Sequence, residues 1–528
     1  MSAAPDVVHE VLSPVDPATL SPLPVVPVTE PAELAEVVAE ARVAQVRWAQ
    51  TPFAERAALL RRVAQAIVAD DLGLAHAIVD ESGKPLVEAY THDLFVAVEA
   101  LVWLGRETER VLRPERLRSR QPVLLHKRRQ TVLREPLGVV GVIAPWNFPI
   151  GLPMTQAATA VAAGNAVVIK PSELVPNVGR RIEQLFVEAG APPGLVRVVS
   201  GGADVGAALV AHHGVDAVVF TGSTATGRQV GARAAERLCP VTLELGGKDP
   251  MLVLDDADLG RAVPGALWAA FANCGQVCSG VERIYVDRSL HGAFLERFSE
   301  RAVALRLGDG HDVATELGPL VSERQRRLVE ELVADAREHG ATVVTGGNRW
   351  EGLAGWFHEP TVLSGEPEHA RIRREEVFGP VVTVVPVDDA REAVRRANDS
   401  PFALGASVWT RDHRRASAVA AELRAGSVWH NDHAYSYGAM QAPWGGRGAS
   451  GFGRTHGREG LLASTQTKFT DADSGRITPG WWYPYSADVL DGFRGVLGAL
   501  YEGSVRGRAG RLRRHRAGVR HLLRKAIS

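Results

Sequence analysis

Cysteine is scarce in this chain. The 528 residues hold three, Cys239, Cys274 and Cys278. An odd, clustered set excludes a disulfide framework and fits a reducing compartment with a reactive thiol. The spacing of Cys274 and Cys278 lacks the further Cys and His ligands of a zinc site, so no metal is expected. Long apolar runs are also missing, and none approaches the ~20 residues of a membrane-spanning helix. The opening MSAAPDVVHEVLSP has neither a basic n-region nor an apolar h-region. No signal peptide is expected, and a cytoplasmic setting is the default. An excess of charge is lacking as well. The formal net charge of -1 gives the body no general affinity for nucleic acid or anionic surfaces. No internal repeat is evident.

What is present is a globular composition, 45% hydrophobic and 23% charged, on a length that predicts two or three domains. Residues 1–28 are rich in proline and small residues and read as an extended lead-in. Thr29 to Leu112 carries helical periodicity, with Thr29, Pro31 and Glu33 marking a helix start. Residues 121–140 alternate like a hairpin pair of strands standing off the helical part. From Gly138 the pattern changes to short apolar runs between helices: GVVGVIAP, NAVVIKPSE, LVRVVSGG, DAVVFTGS and VTLELGGK. Such runs are strands buried on both faces, and their alternation with helices predicts a parallel, doubly wound α/β sheet. Ligands of these sheets bind at the carboxyl ends of strands, where Lys170, Glu173, Gly222 and Ser223 fall. Asp255 to about Ala449 reads as a second α/β region, and 465–469 as one more short strand.

The chemistry centres on Val241 to Gly280. Glu244 follows a β-like run, and Cys278 sits in a Gly-Gln-Val-Cys-Ser-Gly turn. A nucleophilic thiolate needs a pocket that lowers its pKa, and a nearby carboxylate can serve as base toward water or the thiol. Alone, Cys278 reads more readily as a small buried hydrophobe. Its company changes that. PWNFP (145–149), KPSE (170–173), FTGSTATG (220–227), ELGGK (244–248), GQVCSG (275–280), EEVFGPV (375–381) and PWGGRGASGFGR (443–454) follow in order. Together, at these gaps, they resemble the aldehyde dehydrogenase superfamily over residues 20–470. CSGVERIYV and GREGLL look most like the succinate-semialdehyde dehydrogenase branch.

That resemblance implies a Rossmann-like NAD(P)-binding domain (29–120 and 141–250) and a second α/β catalytic domain (251–449). It also implies a small β element for oligomerisation (121–140 and 463–470), joining a homo-dimer or tetramer. It makes Cys278 the nucleophile toward an aldehyde. Asn147, with the Cys278 N–H, is the oxyanion hole, and Glu244 activates the water that hydrolyses the thioester. The cofactor would meet Trp146, Lys170, Glu173, Gly222, Ser223, Gly227, Leu245, Glu376 and Phe378, with phosphates at a helix start. Glu173 would accept from both adenosine ribose hydroxyls and repel a 2′-phosphate, which favours NAD over NADP. Lys248 reads either as an electrostatic contributor or as a solvated lysine. Other readings are a relative that passes the acyl group to coenzyme A and an idle protein on the same scaffold. Glu244 speaks for hydrolysis, and the intact trio of Asn147, Glu244 and Cys278 speaks against idleness.

The substrate tunnel is expected around Phe148, Leu152, Thr155, Val277, Ser279 and Trp444, with Tyr435 and Tyr437 just upstream. An aromatic wall suits apolar or aryl aldehydes; a semialdehyde carboxylate would want Arg283 or Ser279. Residues 471–528 form a basic extension. An aromatic cluster and an amphipathic helix precede nine Lys or Arg, with no acidic residue, between Arg506 and Lys525. A peripheral membrane anchor is one reading and nucleic-acid binding another. A helix on an acidic neighbouring subunit, or a solvated tail, is the third.

Overall fold

The computed structural model describes residues 10–117, 129–473 and 478–527. Residues up to Leu112 and Pro136–Gln466 form one compact unit; 113–135 with 467 onward form another.

The first unit holds two large sheets. Five parallel strands run in the order Val241–Glu244, Ala217–Thr221, Val139–Ile143, Ala166–Lys170, Val196–Val198, and Gly451–Phe452 closes the first edge antiparallel. The strand Val139–Ile143 is central. Later strands add to one side and then the other, so the switch point lies at its carboxyl end. Val139 and Val140 therefore belong to this sheet and not to the stand-off hairpin expected over 121–140. Residues 121–128 of that hairpin lie outside the described residues.

The second sheet has the order Thr342–Thr345, Thr361–Ser364, Val381–Val387, Val281–Asp287, Asp249–Val253, Gly405–Trp409, Ser427–His430. All neighbours are parallel except the first pair. The chain passes from one sheet to the other through Leu245 to Lys248. The expected boundary at 250/251 thus falls inside the strand Asp249–Val253. A four-residue crossing leaves no slack, so Glu244 at the end of one sheet is tied to the first strand of the next.

Helices Pro31–Trp48, Phe53–Ala69 and Asp71–Ser82 precede a run from Leu86 to Leu112, which contains a π turn at Ala89–Leu94. Such bulges recur at functional sites because the extra residue re-aims side chains. The lead-in pairs Val11–Leu12 with Val26–Pro27.

In the second unit, Arg129–Pro136 lies between Thr465–Ala472 and Glu115–Arg116. The C-terminal extension is not a solvated tail. It folds into helices Ala487–Tyr501, Val505–Arg514 and Arg516–Ile527. The first and last pack at glycines: a Cβ at Gly518 would stand 2.2 Å from Gly492 N. His515 Nδ1 lies 2.7 Å from Asp491 Oδ1. The Lys525 ammonium bonds the Pro484 carbonyl at 2.9 Å and the Trp482 carbonyl. Gly518→Leu should overpack this contact at a cost of about 1–3 kcal/mol. Trypsin should then cleave within 506–525 at least about five times faster; wild-type cleavage rates would refute the close packing.

Candidate active site

A cavity of about 760 Å³ ends at Val277, Cys278 and Ser279. Phe148, Trp268, Tyr437 and Trp444 supply aromatic wall. Phe148, Val277, Ser279 and Trp444 therefore lie where the sequence placed them. Leu152 and Thr155 do not line it. Both are buried in the helix Gly151–Ala162, and the Thr155 hydroxyl donates to the Gly151 carbonyl at 2.7 Å. The Tyr437 ring overlies the start of that helix, since a Cβ at Gly151 would lie 3.1 Å from its hydroxyl. Arg283 is likewise out of reach. It is buried, and its guanidinium donates to the carbonyls of Lys248 and Ala397.

Asn147 reaches the nucleophile turn directly, its Nδ2 donating to the Gln276 carbonyl at 3.0 Å. Its own carbonyl accepts from Lys84 Nζ at 2.6 Å and from Asn273 Nδ2 at 3.1 Å. Lys84 pairs with Asp93 at 2.7 Å, both side chains fully buried. Asp93 in turn accepts from the N–H groups of Ile150 and Gly151. The π turn delivers Asp93 to this position. Sequence reading missed Lys84 and Asp93; a Gly-Lys-Pro between helices and an acid mid-helix carry no signal of a buried pair.

The turn itself is left-handed at three successive residues, Asn273 (φ 51°), Cys274 (φ 57°) and Gly275 (φ 70°). For Asn and Cys that conformation stores strain, which the surrounding bonds must hold. A Cβ at Gly275 would fall 2.1 Å from the Gly379 carbonyl oxygen, and one at Gly247 2.1 Å from the Cys278 carbonyl oxygen. Only glycine lets ELGGK, GQVCSG and EEVFGPV close on one another. Lys248 proves to be neither solvated nor exposed. It forms a buried ion pair with Glu282, whose carboxylate also accepts from the N–H groups of Val377 and Phe378.

The electrostatics overturn one expectation. The pocket does not lower the Cys278 pKa: burial, then Glu376, Asp249 and Glu244, push the thiol up. Burial pushes Glu244 to about 8, against the favourable pull of Arg454 and bonds from Thr455. Its Oε2 is buried without a protein partner, so one oxygen is open to water or a proton donor. Burial also raises Glu376 to about 8, with its Oε1 accepting from Gly247 N at 2.9 Å.

Around the first sheet's switch point lie the residues assigned to the cofactor. Lys170 Nζ stands 3.2 Å from Glu173, whose carboxylate is half exposed. Ser223 caps the 13-residue helix Thr224–Glu236 by accepting from Thr226 N. The start of that helix is close-packed, with a Cβ at Gly227 falling 2.3 Å from Leu245. Gly222 N donates to the Glu244 carbonyl. Trp146 meets Phe378 edge-on at 5.4 Å. A positive helix end and a half-exposed carboxylate, at the ends of the two strands that flank Val139–Ile143, suit the pyrophosphate and ribose of a dinucleotide.

Residues 6–470 match the model of the aldehyde dehydrogenase family. A Mycolicibacterium smegmatis protein provisionally named succinate-semialdehyde dehydrogenase (NADP+) is 39% identical over 448 residues, 84% of this chain and 86% of that one. The betaine aldehyde dehydrogenase of Cereibacter sphaeroides is 39% identical over 466 residues, 86% of this chain and 94% of its own. The crystal structure of a Mycobacterium tuberculosis aldehyde dehydrogenase complexed with NAD+ superposes with a TM-score of 0.85. That match is 34% identical and covers 90% of this chain and 97% of the other. With its motifs, two-sheet fold and site geometry in agreement, the chain belongs to the aldehyde dehydrogenase family.

Proposed function

We propose that this protein oxidises an aldehyde to its carboxylic acid through Cys278, with NAD(P) as acceptor. The observation that carries the reading is the convergence at the cavity's inner end. Cys278 opens there, the Asn147 amide touches its turn, and Glu244, with one unpartnered oxygen, is close enough to raise the thiol.

The raised thiol must lose its proton before or during attack. Glu244, ionised above about 8, is the base that receives it and passes it on to solvent. Sγ then bonds the aldehyde carbon. The oxygen takes up negative charge, which Asn147 Nδ2 and the Cys278 N–H neutralise; Asn147 is fixed for that role by Lys84 and Asn273. When bound at that site, NAD(P) would supply the two-electron acceptor for the hydride of the adduct. Glu244 next deprotonates water for attack on the Cys278 thioester, and the acid leaves as the thiolate is restored. Trp146, Lys170, Glu173, the 222–227 turn, Leu245, Glu376 and Phe378 would hold the cofactor. The half-exposed Glu173 carboxylate favours NAD by repelling a 2′-phosphate.

We also propose self-association through the strands Arg129–Pro136 and Thr465–Ala472. For the extension we propose contact with an anionic lipid surface. Trp482, Tyr483 and Tyr485 stay exposed, and Lys525 bonds the Trp482 and Pro484 carbonyls among them, a pairing suited to a headgroup interface.

Four outcomes follow from this chemistry. Glu244→Gln should slow both the first release of NAD(P)H and steady-state turnover, the latter at least ~100-fold; full turnover would remove Glu244 from hydrolysis. In the parent enzyme kcat should rise with pH through about 8, because Glu244 accepts a proton only when ionised; a flat profile from 6 to 9 contradicts this. Glu173→Ser should raise the NADP-to-NAD ratio of kcat/KM by ~10-fold, equivalent to ~1.4 kcal/mol; an unchanged ratio ends the ribose assignment. Anionic vesicles should float the full chain but not one ending at Phe469, and equal partitioning ends the lipid reading.

A further inference from the structure

Resting on that oxidation chemistry, we infer that the cavity selects an uncharged aldehyde with an apolar or aromatic body and rejects aldehydes that also bear an anionic carboxylate. The acid group of such a substrate would need a cation or several donors to replace its water. Among the described residues lining the cavity, the cation is Arg306. It pairs with Glu316 at 3.2 Å, its Nε donates to the Ala314 carbonyl at 2.6 Å, and its side chain is 63% exposed. It is thus a solvated group already neutralised. The two other basic groups near the site, Lys84 and Arg283, are buried in bonds to Asp93, Asn147 and backbone carbonyls.

The acidic side of the cavity points the same way. Glu88 lines the wall and accepts from Asn273 N at 2.8 Å. Burial raises its carboxyl to about 7, so at pH 8 it is mostly ionised and repels an incoming anion. His433 is neutral, lowered to about 4 by burial, and both ring nitrogens are engaged, with Ser407 and the Ser279 carbonyl. Tyr437 Oη and His92 Nδ1 are buried without protein partners, and burial holds His92 near 3 and neutral. These offer neutral hydrogen bonding to a neutral substituent and no charge to a carboxylate. Phe148, Trp268 and Trp444 complete a wall far larger than a four-carbon semialdehyde can fill.

The test uses the full-length protein at pH 8 with saturating NAD, and again with NADP. It measures kcat/KM for pentanal, 3-phenylpropanal, betaine aldehyde and succinate semialdehyde. Pentanal and succinate semialdehyde are nearly equal in length and differ in the terminal charge. Both neutral aldehydes should exceed succinate semialdehyde by at least tenfold. Succinate semialdehyde matching pentanal overturns the proposal, as does betaine aldehyde exceeding both neutral substrates. Glu88→Gln should raise the ratio of succinate semialdehyde to pentanal severalfold; an unchanged ratio overturns the role given to the Glu88 charge. Silence with all four aldehydes overturns the oxidation chemistry itself, a result distinct from fast turnover of the wrong one.

Discussion

Two buried lysine–carboxylate pairs bracket the nucleophile, and the rest of the site depends on them. Lys84–Asp93 holds the Asn147 carbonyl and the first N–H groups of the following helix. Lys248–Glu282 holds the Val377 and Phe378 N–H groups. Charges out of water are tolerated only when every partner is in place, and removing one side costs about 3–5 kcal/mol. Five segments far apart in the chain must therefore arrive together or not at all. The glycines at 247 and 275 allow the approach, and the ion pairs make it obligatory.

The same exclusion of water sets the chemistry. Burial and neighbouring carboxyls push the Cys278 thiol up and lift Glu244 and Glu376 to about 8. The cavity is consistent with that exclusion. Its walls are aromatic, its polar groups mostly neutral, and its one described cation, Arg306, is paired with Glu316.

Much of the architecture was legible in the chain. Unalternating β-branched runs such as AVVIK and AVVF can only be strands covered on both faces, and the parallel sheet follows. Ordered glycine- and proline-rich motifs marked the strand ends and the turn around Cys278. Boundaries were less legible, because Val139 and Val140 continue an alternating segment yet pair with Ala166, Val167 and Ala217. Thr155 looked tunnel-facing by its distance from Asn147, but the helix that carries it turns it inward. The basic extension carried the charge of a tail; glycines at 492 and 518 let it pack as helices.

The sequence by itself determined the family, because its ordered motifs each carry residue types that the chemistry requires at a short, local spacing. Tertiary structure alone decided the protonation of Cys278, the burial of Lys248 and the service of Lys84 and Asp93. It also removed Arg283 from the substrate's reach. These properties depend on which groups lie within a few ångströms and how much water is excluded. Both are set by contacts between residues tens to hundreds of positions apart.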